Sequence, residues 1–150
     1  MIVDSSAIAA VVFGEPDAAV YARLIAEAPI VRISAATFIE VGVVIDGARN
    51  PILAGALDAL LSATRVVVEP FTEAQARIAR VAYQRFGKRS GHPARLNMGD
   101  CFSYALARDL GEPLLFKGDD FKLTDIELVI EPIKHKRLSE VVATYGVETP

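Results

Sequence analysis

Acidic residues break apolar stretches at several places in this 150-residue chain. Asp4 ends the apolar pair Ile2-Val3, Glu40 interrupts the apolar run from Phe38 to Ile45, Asp100 follows Asn97 by three residues, and Asp119 and Asp120 follow Leu114-Leu115-Phe116. Carboxylates gathered in one place repel and raise one another's pKa, a cost that a cation among them removes. Oxygen donors without a Cys or His cluster suit Mg²⁺ or Mn²⁺ rather than structural zinc. Magnesium held by a few carboxylates keeps waters and takes phosphate oxygens; it can activate a water and stabilise the leaving oxygen of an in-line displacement. That chemistry is phosphodiester hydrolysis. The segment from Arg85 to Arg95 carries Arg85, Lys88, Arg89 and Arg95 and no acid, and its place just ahead of Asp100 would supply attraction for phosphate.

Each of these residues also has a purely local reading. Asp4 and Ser6 can serve as caps at the start of a helix, and Glu40 can answer the positive end of a helix dipole, although it sits past the first turn where that effect has faded. Asp100 can be the first-turn acid of a helix capped by Asn97. The basic segment can be solvated surface. What favours a site is convergence of the acids, and that depends on the elements that carry them.

Those elements alternate. Ile2-Val3 reads as a buried strand and Ala7 to Phe13 as a helix with a serine just ahead of it as cap; Gly14-Glu15-Pro16-Asp17 is a turn, with Asp17 opening a helix to about Ala28. Ile30 to Ile33 is a second strand, and Ser34 caps a long helix from Ala35 to about Ala48, apolar on most sides and so expected to be buried on most sides, against the sheet and a partner subunit. Asn50-Pro51 opens a helix to about Ala63, Arg65 to Pro70 forms a third strand, and Thr72 to about Phe86 a helix with Ile78, Val81 and Ala82 inward. After the basic loop come the helix containing Asp100, a stop at Gly111-Glu112-Pro113, a fourth strand at Leu114-Leu115-Phe116, and a short edge strand at Val129-Ile130. Alternation of this kind predicts an α/β fold with a central, mainly parallel sheet of four to five strands. In such sheets ligands bind outside the carboxyl ends of the strands. Asp4, Asp100 and the Asp119/Asp120 pair would share that edge, with Glu40 in reach.

The chain is long enough for one domain with a core that needs no disulfides. A core strand starting at residue 2 leaves no room for a secretory signal, no apolar run reaches membrane-spanning length, and the single Cys101 falls in a helix and reads as core packing. The expected compartment is the cytoplasm. A net charge of −3 argues against a protein that coats nucleic acid non-specifically, and leaves room for an acidic site fringed by basic loops.

From Met1 to about Pro132 the sequence resembles PIN-domain ribonucleases, specifically the VapC-type toxins of bacterial toxin–antitoxin pairs. The resemblance rests on Ile2-Val3-Asp4-Ser5-Ser6-Ala7, on Glu40 within Ser34-Ala35-Ala36-Thr37-Phe38-Ile39-Glu40, on the stretch Leu96-Asn97-Met98-Gly99-Asp100-Cys101-Phe102-Ser103-Tyr104-Ala105, and on Leu114-Leu115-Phe116-Lys117-Gly118-Asp119-Asp120-Phe121, in this order and at these distances. It implies an α/β/α sandwich, a site holding Mg²⁺ or Mn²⁺, and cleavage of single-stranded or looped RNA. Asp4 and Asp100 match the family's chief metal ligands, Glu40 the third acid, and the Asp119/Asp120 pair the fourth. An acid just before the Phe favours Asp120, while Asp119 is close enough to contribute. Ser6 matches a hydroxyl that supports the first Asp. The family usually dimerises and is silenced by a VapB-type antitoxin, and the apolar stretch from Val41 to Leu61 is where either contact is expected. Residues 133–150, with Lys134-His135-Lys136-Arg137, form a tail that departs from compact members of the family.

Two rival readings remain. A phosphotransfer domain would use Asp4 as a nucleophile beside a lysine such as Lys117, but it leaves Glu40 and the basic loop without a task. A PIN fold that only binds RNA or protein would not need all its acidic positions occupied, as they are here.

Overall fold

A computed structural model gives the fold of residues 1–129. The tail expected over residues 133–150 lies outside the described residues, as does Ile130. Four short strands, β1 (Ile2–Val3), β2 (Arg32–Ser34), β3 (Val67–Glu69) and β4 (Leu114–Leu115), form one parallel sheet in the order β3-β2-β1-β4. Between them run α1 (Ser5–Val12), α2 (Ala18–Glu27), α3 (Ala35–Gly47), α4 (Pro51–Ala63), α5 (Glu73–Phe86) and α6 (Met98–Leu110).

Neighbouring residues of a strand point to opposite faces, and the core divides accordingly. Ile2 and its register partner Leu114 pack with α5 and α6, among Ala82, Phe86, Leu106 and Phe121. Val3 and its partner Leu115 pack on the other face with α1 to α4, among Ile8, Ile25, Val41 and Ile45. Two apolar layers against one sheet make an α/β/α sandwich. The chain steps outward from β1 to β2 to β3 and then returns to the far side of β1 as β4. The order therefore reverses beside β1, and the carboxyl ends of β1 and β4 flank the place where such sheets bind ligands.

Several local details depart from the sequence expectation. The cap of α1 is Asp4 itself, whose Oδ1 accepts from the Ser6 backbone N–H at 2.9 Å, with both serines inside the helix. Pairing of the second strand starts at Arg32, whose N–H donates to the Met1 carbonyl, leaving Ile30 exposed. Val81 faces solvent, not the core. Of the expected edge strand Val129-Ile130 only Val129 is among the described residues; its N–H donates to the Leu114 carbonyl at 2.9 Å, beside a parallel bridge between Leu128 and Leu114. Helix α3 buries only Thr37, Val41 and Ile45 and leaves Ile39 and Val43 about two-thirds exposed, at 64% and 68%. Its apolar composition predicts cover from the sheet and from a partner subunit; among the described residues of the single chain that outer face is open.

Candidate active site

Asp4 stands at the carboxyl end of β1, almost wholly buried at 3% exposure. Burying a carboxylate is tolerable only when its oxygens are hydrogen-bonded, and here both are. Oδ1 accepts from the Ser6 N–H and from Ser6 Oγ at 2.6 Å; Oδ2 accepts from Ser103 Oγ at 2.7 Å. Ser6 Oγ in turn accepts from the Lys117 backbone N–H at 3.0 Å, which ties Asp4 to the chain leaving β4.

Asp100 enters from the first turn of α6 in a reciprocal capping box. Asn97 Oδ1 accepts from the Asp100 N–H at 3.0 Å, and Asp100 Oδ2 accepts from the Asn97 N–H at 2.6 Å. The local role foreseen for Asp100 is therefore real, and it fixes the carboxylate at the mouth of the cleft. Burial pushes the Asp100 pKa up to about 7; the Asn97 N–H opposes this, and the charges of Asp4, Asp120 and Glu40 add to it. Asp4, Glu40 and Asp120 thus all lie within electrostatic range of Asp100, and Asp4 within range of Glu40.

Glu40 projects from α3 toward the start of α6. Its pKa is raised, first by burial and then by the Asp4 charge, with Ser5 working in the opposite direction. Its Oε2 is buried without a hydrogen-bond partner among the described residues. The carboxylate fits because residue 99 is glycine: a Cβ there would stand 2.5 Å from Glu40 Cδ.

The two acids after β4 diverge. Asp119 is largely exposed and ion-paired with Lys122, whereas Asp120 is the member whose charge acts on Asp100. Lys117, the lysine that a phosphotransfer mechanism would need, is engaged by Glu15 and, at 2.8 Å, by Asp17. Cys101 is buried in the α6 core with its thiol pKa pushed up to about 12 by burial and the Asp100 charge, so it is no nucleophile. Lys88, Arg89 and Arg95 are exposed and form no ion pair among the described residues.

A divalent ion suits this donor set. The donors are all oxygen, one buried carboxylate oxygen lacks any partner, and like charges crowd Asp100. Among the described residues, no three Asp, Glu, His or Cys side chains are grouped closely enough to hold one ion directly. Mg²⁺ keeps several waters and usually takes only one or two carboxylates, so three direct donors are not required for it.

A family model described as the PIN domain matches residues 1–127. The chain belongs to the PIN-domain family. Within it, this PIN domain is related to the VapC ribonucleases: it is 53% identical over 131 residues to ribonuclease VapC28 of Mycobacterium tuberculosis, covering 87% of this chain and 98% of that one. Among solved structures, the VapC20 toxin of Mycobacterium tuberculosis, described as cleaving the sarcin-ricin loop, superposes with a TM-score of 0.69 at 23% identity over 87% of this chain and 98% of that one. A toxin–antitoxin complex from Klebsiella pneumoniae matches with a TM-score of 0.60 at 18% identity, covering 82% and 91% of the respective chains. The two structures establish the PIN fold; the VapC28 identity establishes the VapC relationship.

Sequence patterns did not single out some residues that pack around the acids of this PIN domain. Ser103 and Thr37 are buried hydroxyl residues on α6 and α3, and Gly99 makes room for Glu40. A signal was available: Ser103 lies three residues after Asp100, and Thr37 three residues before Glu40, so each shares a helix face with an acid.

Proposed function

We propose that this VapC-type PIN domain is an endoribonuclease toxin that hydrolyses RNA phosphodiester bonds with a divalent metal, Mg²⁺ or Mn²⁺, and acts in the cytoplasm. The observation that carries the reading is the meeting of Asp4, Glu40, Asp100 and Asp120 where β1 and β4 end, with Asp100 held near a pKa of 7 and Glu40 Oε2 unpartnered. Asp4, Asp100 and Asp120 would hold the metal, no more than two of them directly and the rest through water, and Glu40 would position the metal or the attacking water. Asp119, paired with Lys122, would have a supporting electrostatic role at most. A bound metal would supply an activated water and charge stabilisation on the scissile phosphate. Ser6 keeps Asp4 in place, and the exposed Lys88, Arg89 and Arg95 draw the RNA backbone to the acidic cleft.

The expected protein partners are a VapB-type antitoxin and a second copy of the chain. Support comes from the uncovered apolar face of α3 and the start of α4, where Ile39, Val43 and Ile52 are exposed. A groove of about 310 Å³ opens between these helices, with Asp46 and Asp58 in its lining.

The test is cleavage of a mixed RNA pool by purified chain in EDTA, Mg²⁺ or Mn²⁺, beside Asp100→Asn. Metal-dependent cutting that disappears in the variant is expected. Tight RNA binding with no cutting under either metal would support the binding-module reading instead.

A further inference from the structure

Asp4 Oδ2 receives the Ser103 hydroxyl at 2.7 Å, and Ser103 Oγ lies 3.2 Å from Thr37 Oγ1, with Ser103 and Thr37 both at 0% exposure. An ionised carboxylate only accepts, and a serine hydroxyl has a single proton. Ser103 therefore spends its proton on Asp4, and the Thr37 hydroxyl must be the donor to Ser103. The relay runs one way, from Thr37 through Ser103 to Asp4.

Its position joins the acidic elements. Thr37 sits one turn before Glu40 on α3, and Ser103 one turn after Asp100 on α6. The two hydroxyls thus clamp the helices that carry Glu40 and Asp100 to each other at the point where they fix Asp4. They also select an atom: Oδ1 already accepts two hydrogen bonds from Ser6, whereas Oδ2 accepts one. A carboxylate oxygen offers about two lone-pair directions, so Oδ2 is the Asp4 atom with a direction left for a cation.

We infer that Thr37 and Ser103 are positioning residues that turn Asp4 Oδ2 toward the metal, Thr37 acting through Ser103. This rests on the metal-dependent nuclease reading above. Partners of metal-binding side chains tune affinity because they orient the ligand and adjust its basicity. Neither residue reaches solvent, so a direct role in holding RNA is excluded for both.

The experiment measures Mn²⁺ binding by calorimetry alongside RNA cleavage for the wild-type chain, Ser103→Ala, Thr37→Val, Thr37→Ser and the Ser103→Ala/Thr37→Val double variant. Ser103→Ala should weaken Mn²⁺ binding about tenfold to a hundredfold and lower kcat while leaving the KM for RNA unchanged. Thr37→Val, nearly isosteric, should act in the same direction more weakly, and Thr37→Ser should restore wild-type binding. The double variant should match Ser103→Ala, because Thr37 has no route to Asp4 once Ser103 is gone. Wild-type Mn²⁺ affinity in folded Ser103→Ala overturns the relay alone, as does wild-type affinity in Thr37→Val if Ser103→Ala fails to fold. A wild-type chain that neither binds Mn²⁺ nor cuts RNA overturns the nuclease reading and the relay with it.

Discussion

Gly99 and Glu40 occupy what would otherwise be one volume: a methyl group on Gly99 would overlap the Glu40 carboxylate, with Cβ only 2.5 Å from Cδ. A glycine in the first turn of a helix is a poor helix former. Here it lets a carboxylate from α3 lie directly against α6, beside Asp100. The room for the third acid is therefore written at position 99, on a different element from the acid itself.

Gly99→Ala should consequently separate folding from activity. The clash falls on the free end of a flexible side chain, and alanine favours the helix, so stability should change by no more than ~1 kcal/mol in thermal melts. Displacing Glu40 by an ångström or more should lower RNA cleavage by about a hundredfold. Adding Glu40→Gln should then cost little more. Full activity in Gly99→Ala would show that Glu40 has no required position.

Asp100 gives the metal-free chain a defined pH response. Its folded pKa of about 7 lies above the ordinary 3.8, so between those values the folded state holds more proton than the unfolded state. Stability from this group is therefore present at low pH, falls as pH rises through that window, and levels off above about 7. The loss at alkaline pH is roughly 2–4 kcal/mol. Asp100→Asn should recover much of it in EDTA at about pH 8 while abolishing cleavage. Mg²⁺ should raise the melting temperature of the wild-type chain more at about pH 8 than at about pH 5.5, where protons compete for the carboxylate. An equal Mg²⁺ effect at both pH values would remove Asp100 from the metal site.

The sequence was informative wherever local pattern decides the outcome. Alternating strand and helix patterns set the α/β class, and the breaks in apolarity at Asp4 and Lys117 fall just past the ends of β1 and β4 because a strand must leave the core there. Asn97 announced its capping box with Asp100 through spacing alone. Contacts between elements were less legible. Ser103, Thr37 and Gly99 are residue types that occur anywhere, and only the approach of α3 to α6 gives them work. The fourth acid stayed open for a similar reason: both aspartates follow β4, and it takes the Lys122 pairing to draw Asp119 away. The outer face of α3 was legible only as a face that needs cover, because apolar composition does not say whether the covering surface belongs to the same chain.

Neutralising Lys88, Arg89 and Arg95 together should weaken RNA binding equally across sequences and flatten its salt dependence. Each phosphate contact to a single strand contributes about −0.7 to the slope of log affinity against log salt, so removing all three should reduce the slope by about 2. The residues are exposed and away from the core, so the melting temperature should hold. Filter binding across a salt series decides this; an unchanged slope would make the loop solvated surface.

Among the described residues nothing covers the outer face of α3. Val43 is 68% exposed and lines the α3–α4 groove together with Ile39, Asp46 and Asp58. An apolar floor with acidic residues in its lining suits a partner segment that inserts an aliphatic or aromatic side chain flanked by Lys or Arg. Val43→Glu removes apolar contact and adds a negative charge at that floor. Because Val43 contributes little to the core, the variant should lose less than ~0.5 kcal/mol of stability, and the free chain should cut RNA as before. Binding through this face should weaken by about thirtyfold or more, the effect of losing one central anchor. Light scattering reads the dimer, and titration with a VapB-type antitoxin reads the complex. Loss of one with retention of the other would assign the groove to that partner, and retention of both would mean that the contacts lie elsewhere on the chain.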